Sequence, residues 1–141
     1  MNCKKSKDKN QILQEEAKAY ANADKNISVV SYDLQKILTT PKTVIGPLYH
    51  MSKLNIWNFT TYDMVNHIGV CNLWNESLGK RGSNEIASFL MKHCTQLLEE
   101  NPFITEIITF SDNCGGQNKN QNVFTMNAMM AVRKKIKVRQ M

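Results

Sequence analysis

Within Ser111-Asp112-Asn113-Cys114-Gly115-Gly116-Gln117-Asn118-Lys119-Asn120 a carboxylate is followed by two glycines and several amides. A carboxylate can hold a cation, and two adjacent residues without Cβ atoms let a phosphate or a metal approach the backbone closely. The amides of Asn113, Gln117, Asn118 and Asn120 add donors and acceptors without adding negative charge. A polar loop is the alternative reading of the same composition.

A second acid bears on that choice. Asp33 ends the β-branched and aromatic run Ile27-Ser28-Val29-Val30-Ser31-Tyr32, whose residue types favour a strand. Asp112 follows the apolar run Ile104 to Phe110, again a strand. Side by side in one sheet, two strand-end aspartates can share a divalent cation. Taken singly, an aspartate at a strand end is more often a turn former or a helix N-cap than a ligand.

The elements that must position these acids follow from periodicity. Residues 1–26 form a peripheral segment with a helix from about Asn10 to Ala23, and residues 27–141 form the domain. Pro41 breaks regular structure, so the chain from Leu34 to Lys42 is expected to loop over the surface. Leu54 to Tyr62 and His67 to Trp74 predict an antiparallel hairpin. After Gly79-Lys80-Arg81-Gly82, Ser83 is placed to cap a helix whose Ile86, Phe89, Leu90, Cys94, Leu97 and Leu98 repeat at helical spacing. A second helix begins near Asn118 or Asn120 and runs to Lys135, with Val123, Phe124, Met126, Met129, Met130 and Val132 expected in the core.

Composition narrows the class. The 141 residues are 42% hydrophobic, enough for the core of one domain. No apolar run approaches the roughly 18 residues of a membrane span, and no signal-peptide pattern opens the chain. The expectation is an intracellular protein, nuclear if it binds DNA. Cys3, Cys71, Cys94 and Cys114 form no C-x-x-C pair, and His50, His67 and His93 show no ligand spacing, so free thiols are expected. Cys114 as a nucleophile lacks a nearby histidine to activate it. The net charge is +6, and no acid follows Asp112. Lys119, Arg133, Lys134 and Lys135 are candidate nucleic-acid contacts; the last three equally suit a helix C-terminus, where cations complement the macrodipole.

Three segments carry a family resemblance: Tyr32-Asp33-Leu34-Gln35-Lys36-Ile37-Leu38 with Pro41-Lys42, the stretch from Leu73-Trp74-Asn75-Glu76 through Lys80 to Ser88, and Ser111 to Asn120. In these the chain resembles uncharacterised transposon-derived proteins with a ribonuclease H-like, transposase-type domain. The resemblance implies an α/β fold with a mixed sheet and flanking helices in the order βββαβα, with the first and fourth strands adjacent. It implies Mg2+ or Mn2+ held by Asp33 and Asp112, and phosphoryl transfer on nucleic acid, DNA above all. A transposase core takes a third acid from a helix beyond its fifth strand, and on this reading the domain is truncated at its C-terminus, without that acid or that strand. Glu85 is then the remaining candidate acid, although an acid in the first turn of a helix is also favoured by the macrodipole alone. Glu76 reads as a solvated residue at the hairpin end. A missing strand would leave a sheet edge open to self-association. The alternative function is a noncatalytic module that binds nucleic acid or protein.

Overall fold

The computed structural model describes residues 2–41, 53–111 and 120–141. Their elements are α1 (Asn2–Ala23), β1 (Ile27–Leu34), β2 (Leu38–Thr40), β3 (Leu54–Asp63), β4 (Ile68–Asn75), α2 (Ser83–Glu100), β5 (Glu106–Phe110), α3 (Gln121–Lys134) and β6 (Lys137–Gln140). Among the described residues this is a mixed α/β fold with one six-stranded mixed sheet and three helices.

β1 is central. It pairs antiparallel with β3 from Val30–Asp63 to Leu34–Phe59, and parallel with β5 from Ile27–Glu106 to Ser31–Phe110. The expected adjacency of the Asp33 strand and the Ile104–Phe110 strand is therefore present. β4 lies on the other side of β3 as the predicted hairpin, and β6 runs parallel to β5 on the far flank.

Alternation along β1 divides the core in two. Val30, Tyr32 and Leu34 enter the larger cluster, where α2 contributes Ile86, Leu90, Cys94 and Leu97 and α3 contributes Val123, Met126 and Met130. Ile27 and Val29 face the other way and join Ile108, Phe110 and Ala21 of α1. Aromatic rings tie the larger cluster across the sheet. Tyr32 and Phe59 are 5.8 Å apart, Trp57 and Trp74 5.8 Å, and Phe89 of α2 lies 5.0 Å from Trp74. Each fully buried ring of this kind contributes about 1.5–3 kcal/mol from area alone.

Four expectations change. The first concerns the C-terminus: the order βββαβα, with the next strand missing, gives way to one in which Lys137–Gln140 forms β6. Lys135 takes a left-handed conformation, φ 54°, and ends α3, after which Lys137 N donates to Thr105 O at 2.8 Å and opens the ladder. In four residues so short a strand shows one apolar side chain, Val138, and reads as a basic tail. The edge of β5 expected to drive self-association is therefore paired. Second, Leu38–Thr40 is a strand and not only loop: β2 pairs with Leu54 to Ile56 on the same side of β3 as β1. Third, Gly82 and not Ser83 occupies the cap of α2, without a side-chain hydrogen bond; the Ser83 hydroxyl accepts from Asn122 Nδ2 at 2.6 Å instead. Fourth, Phe124 and Val132 are 72% and 79% exposed, because α3 turns only Val123, Met126 and Met130 inward.

Candidate metal and nucleic-acid site

Asp33 is the last exposed residue of β1. Because Tyr32 and Leu34 point into the cluster under α2, alternation sends Asp33 to the opposite face. Its cross-strand partner is Thr60, which in turn pairs with Cys71. Thr60 Oγ1 lies 3.7 Å from Cys71 Sγ, and one step along the strands Asn58 Nδ2 donates to Gln35 Oε1 at 3.0 Å. The carboxylate thus stands in a row of hydroxyl and amide groups. Hard oxygen donors of this kind suit magnesium or manganese, whereas the Cys71 sulfur suits softer ions.

Asp112 and Lys119 lie outside the described residues, as does Cys114. The described residues hold no group of three or more His, Cys, Asp or Glu side chains arranged to hold a metal ion. Up to the last described rung, every β1–β5 pair is separated by 79 positions in the chain, and Asn26 and Thr105 just before the ladder keep the same offset.

Glu85 is placed differently. It lies in the first turn of α2, the helix that covers the face toward which Val30, Tyr32 and Leu34 point. Its Oε1 accepts from the backbone N–H of Lys80 at 3.0 Å, and a Cβ at Gly82 would stand 2.9 Å from its Oε2. The side chain folds back over the loop before the helix, and the sheet separates that face from Asp33. Glu76 accepts from Asn55 Nδ2 at 2.8 Å and fastens the end of the hairpin.

The cations of the tail are also apart from Asp33. Arg133 and Lys134 end α3 and Lys135 follows, all exposed, near the end of the sheet where Ile27, Glu106 and Lys137 pair. Asp33 is six residues further along β1, about 20 Å at the usual rise of a strand. The N-terminal ends of α2 and α3, by contrast, meet near the end of the sheet where β1 finishes, joined by the Asn122–Ser83 bond. Asn120 Oδ1 caps α3, accepting from the N–H groups of Asn122 and Val123 at 2.9 and 3.1 Å.

Two groups escaped the reading of the sequence. Asp63 is buried at the end of β3, where its oxygens accept from Val65 N, Asn66 N and Asn66 Nδ2 at 2.7–3.1 Å. The pattern Asp-x-x-Asn before a hairpin turn was the available signal. His93 is buried on α2, with no hydrogen-bond partner for Nε2. Desolvation lowers its pKa below the ordinary value, against an opposing pull from Asp63 and Glu100.

Comparison of the chain with protein-family models, curated proteins and solved structures found no match. No helix among the described residues is long and apolar enough to cross a membrane.

Proposed function

We propose that the chain is a transposase-derived ribonuclease H-like domain, in which Asp33 and Asp112 hold Mg2+ or Mn2+ at a nucleic-acid-binding end of the sheet. The observation that carries this reading is the parallel register of β1 and β5. Its offset of 79 positions is also the separation of Asp33 and Asp112 in the sequence. The order β4-β3-β1-β5-β6, antiparallel on one side of β1 and parallel on the other, supports the same superfold.

When bound, such cations activate a water or a 3′-hydroxyl and stabilise the leaving oxygen of a phosphoryl transfer. The chain's own residues supply position and charge. Asp33 offers carboxylate oxygens at a solvent-facing strand end, so it meets a cation without the desolvation cost of a buried acid. The Thr60 hydroxyl on the neighbouring strand can orient water beside it. The N-termini of α2 and α3 favour negative charge nearby, as a phosphate backbone requires.

Turnover by this chain is weak or absent on this reading, because Glu85, the remaining candidate acid, is engaged with the Lys80 backbone on the far side of the sheet from Asp33. A noncatalytic nucleic-acid-binding module is the second reading. It is favoured by the absence, among the described residues, of a carboxylate cluster around Asp33.

The test is calorimetric titration of manganese into the chain and into its Asp33→Asn, Asp112→Asn double variant. Binding lost in the double variant supports a shared site. No binding to either protein removes the metal from the reading and leaves the module.

A further inference from the structure

We propose that the cavity between α3 and β6 binds a base of single-stranded nucleic acid, stacked on Phe124. This rests on the nucleic-acid reading above and adds a subsite that neither aspartate forms. The cavity is an open groove of about 600 Å³ lined by Asn120, Gln121, Phe124, Asn127, Val138 and Gln140. Among the described residues that lining holds one aromatic ring, four carboxamides, one valine and no charged side chain. An exposed phenylalanine alone is ordinary on a protein surface. This one walls a cavity whose other described groups are four amides and Val138, and that combination matches a planar, uncharged ring with donors and acceptors on its edge.

The amides are held in place. Asn127 Nδ2 donates to Gln140 Oε1 at 3.4 Å, and Gln140 Nε2 donates to the Tyr32 hydroxyl at 3.0 Å, so the row is anchored on the central strand. Asn127 carries a second amide hydrogen and a carbonyl oxygen beyond its contact with Gln140, which is the capacity needed to meet a base edge. Charge separates a base from other flat or polar ligands such as a neutral sugar. α3 and β6 carry Arg133, Lys134, Lys137 and Arg139 and no carboxylate, with Lys135 between them; Arg133 lies nine residues beyond Phe124, about 14 Å along the helix, so these cations suit the phosphates of a strand that continues past the stacked base and not the base itself. Arg139 is already paired with Glu106 of β5 at 2.6 Å, which leaves Lys137 and the end of α3 as the sources of the field.

The experiment is fluorescence anisotropy with a short labelled single-stranded DNA, and with the same DNA made abasic. It uses the full chain, Phe124→Ala, Phe124→Trp, and Val132→Ala as an exposed control on the same helix; circular dichroism verifies folding. Stacking on one aromatic ring is worth about 1–3 kcal/mol per base, so Phe124→Ala should weaken binding of the intact DNA roughly 5- to 150-fold. Phe124→Trp and Val132→Ala should retain it. The abasic DNA should bind the unaltered chain as weakly as Phe124→Ala binds intact DNA, and the variant should lose nothing more with it.

Equal binding of intact and abasic DNA, with a steep loss on adding salt, would overturn the stacking site and leave phosphate-driven binding standing. Failure of both DNAs to bind at low salt would overturn the stacking site and the nucleic-acid partner together, while the manganese titration tests the aspartates separately.

Discussion

Ser31 of β1 and Phe110 of β5 are partners on the last described rung of the parallel ladder. Both lie on the face opposite α2, since Phe110 packs with Val29 and Ala21 and Ser31 alternates with Tyr32. Asp33 follows Ser31 by two residues, and a step of two preserves the face. The face on which α1 packs lower down thus becomes, at the strand's end, the face that presents a carboxylate.

This arrangement predicts how the acids affect stability without metal. The proposed site sets the Asp33 and Asp112 carboxylates side by side, where they would repel each other with no cation bound. Asp33→Asn and Asp112→Asn should therefore leave the metal-free melting temperature unchanged or raised, with a free-energy change within about 0.5 kcal/mol of zero or on the stabilising side. Thermal melts in a chelator measure this, and a loss of several degrees in either variant would identify that acid as a structural group.

Glu85 separates a metal ligand from a loop clasp. The Lys80 N–H bond predicts that Glu85→Ala destabilises the chain by about 0.5–1.5 kcal/mol and leaves manganese affinity unaltered. Urea unfolding and calorimetry on the same variant give the two readouts. A tenfold weaker manganese site with unchanged stability would return Glu85 to the metal.

His93 makes stability depend on pH. Its pKa is lowered in the folded state, chiefly by burial, so between that value and the ordinary 6.5 the unfolded chain binds the extra proton. Its contribution is therefore fully present above about pH 6.5 and is lost as pH falls toward the folded value. Asp63 and Glu100 oppose the shift and narrow this window. Replacement by leucine should flatten the stability curve across that range, as measured by urea midpoints at successive pH values; an unchanged curve would mean that other groups carry the acid sensitivity.

The described cysteines should differ in reactivity. Burial pushes the Cys94 thiol up to about 12, whereas Cys71 is exposed on β4. The thiolate is the reacting form, so iodoacetamide at neutral pH should label Cys71 and spare Cys94 until the protein unfolds. Peptide mass spectrometry reads the outcome, and early labelling of Cys94 would show that α2 opens readily from the sheet.

The central elements were legible because their side chains repeat with the period of the structure they form. Ile86, Leu90, Cys94 and Leu97 mark the inner face of α2, and the β-branched run from Ile27 marks β1. The candidate site was legible only as residue types, since Asp33 and Asp112 each close an apolar run in the sequence. Which face Asp33 takes was not, because alternation has to be anchored to the helix that covers one side. Phe124 was misassigned for a related reason: an apolar residue beside Val123 on a helix points about 100° away from it, and only the way α3 packs against α2 and the sheet decides which of the two is covered. β6 itself carries charge at every second position, so its sheet face rests on Val138 and Gln140 alone.

That strand supplies the last prediction. The N–H of Lys137 donates to Thr105 O at 2.8 Å, and the N–H of Met141 donates to Thr109 O at 2.9 Å, so alternate amides from Lys137 onward face β5. The Lys137 side chain is exposed. Proline at this position removes a ladder donor and leaves the Thr105 carbonyl without its partner, at a cost of about 1–3 kcal/mol. Lys137→Ala keeps the donor and removes only an exposed cation, so it should change stability by less than about 0.5 kcal/mol. The contrast between the two variants in urea unfolding isolates the backbone bond from the charge. Equal stability of Lys137→Pro and Lys137→Ala would mean that the ladder between β5 and β6 contributes nothing, and that the chain beyond Lys135 is a basic tail after all.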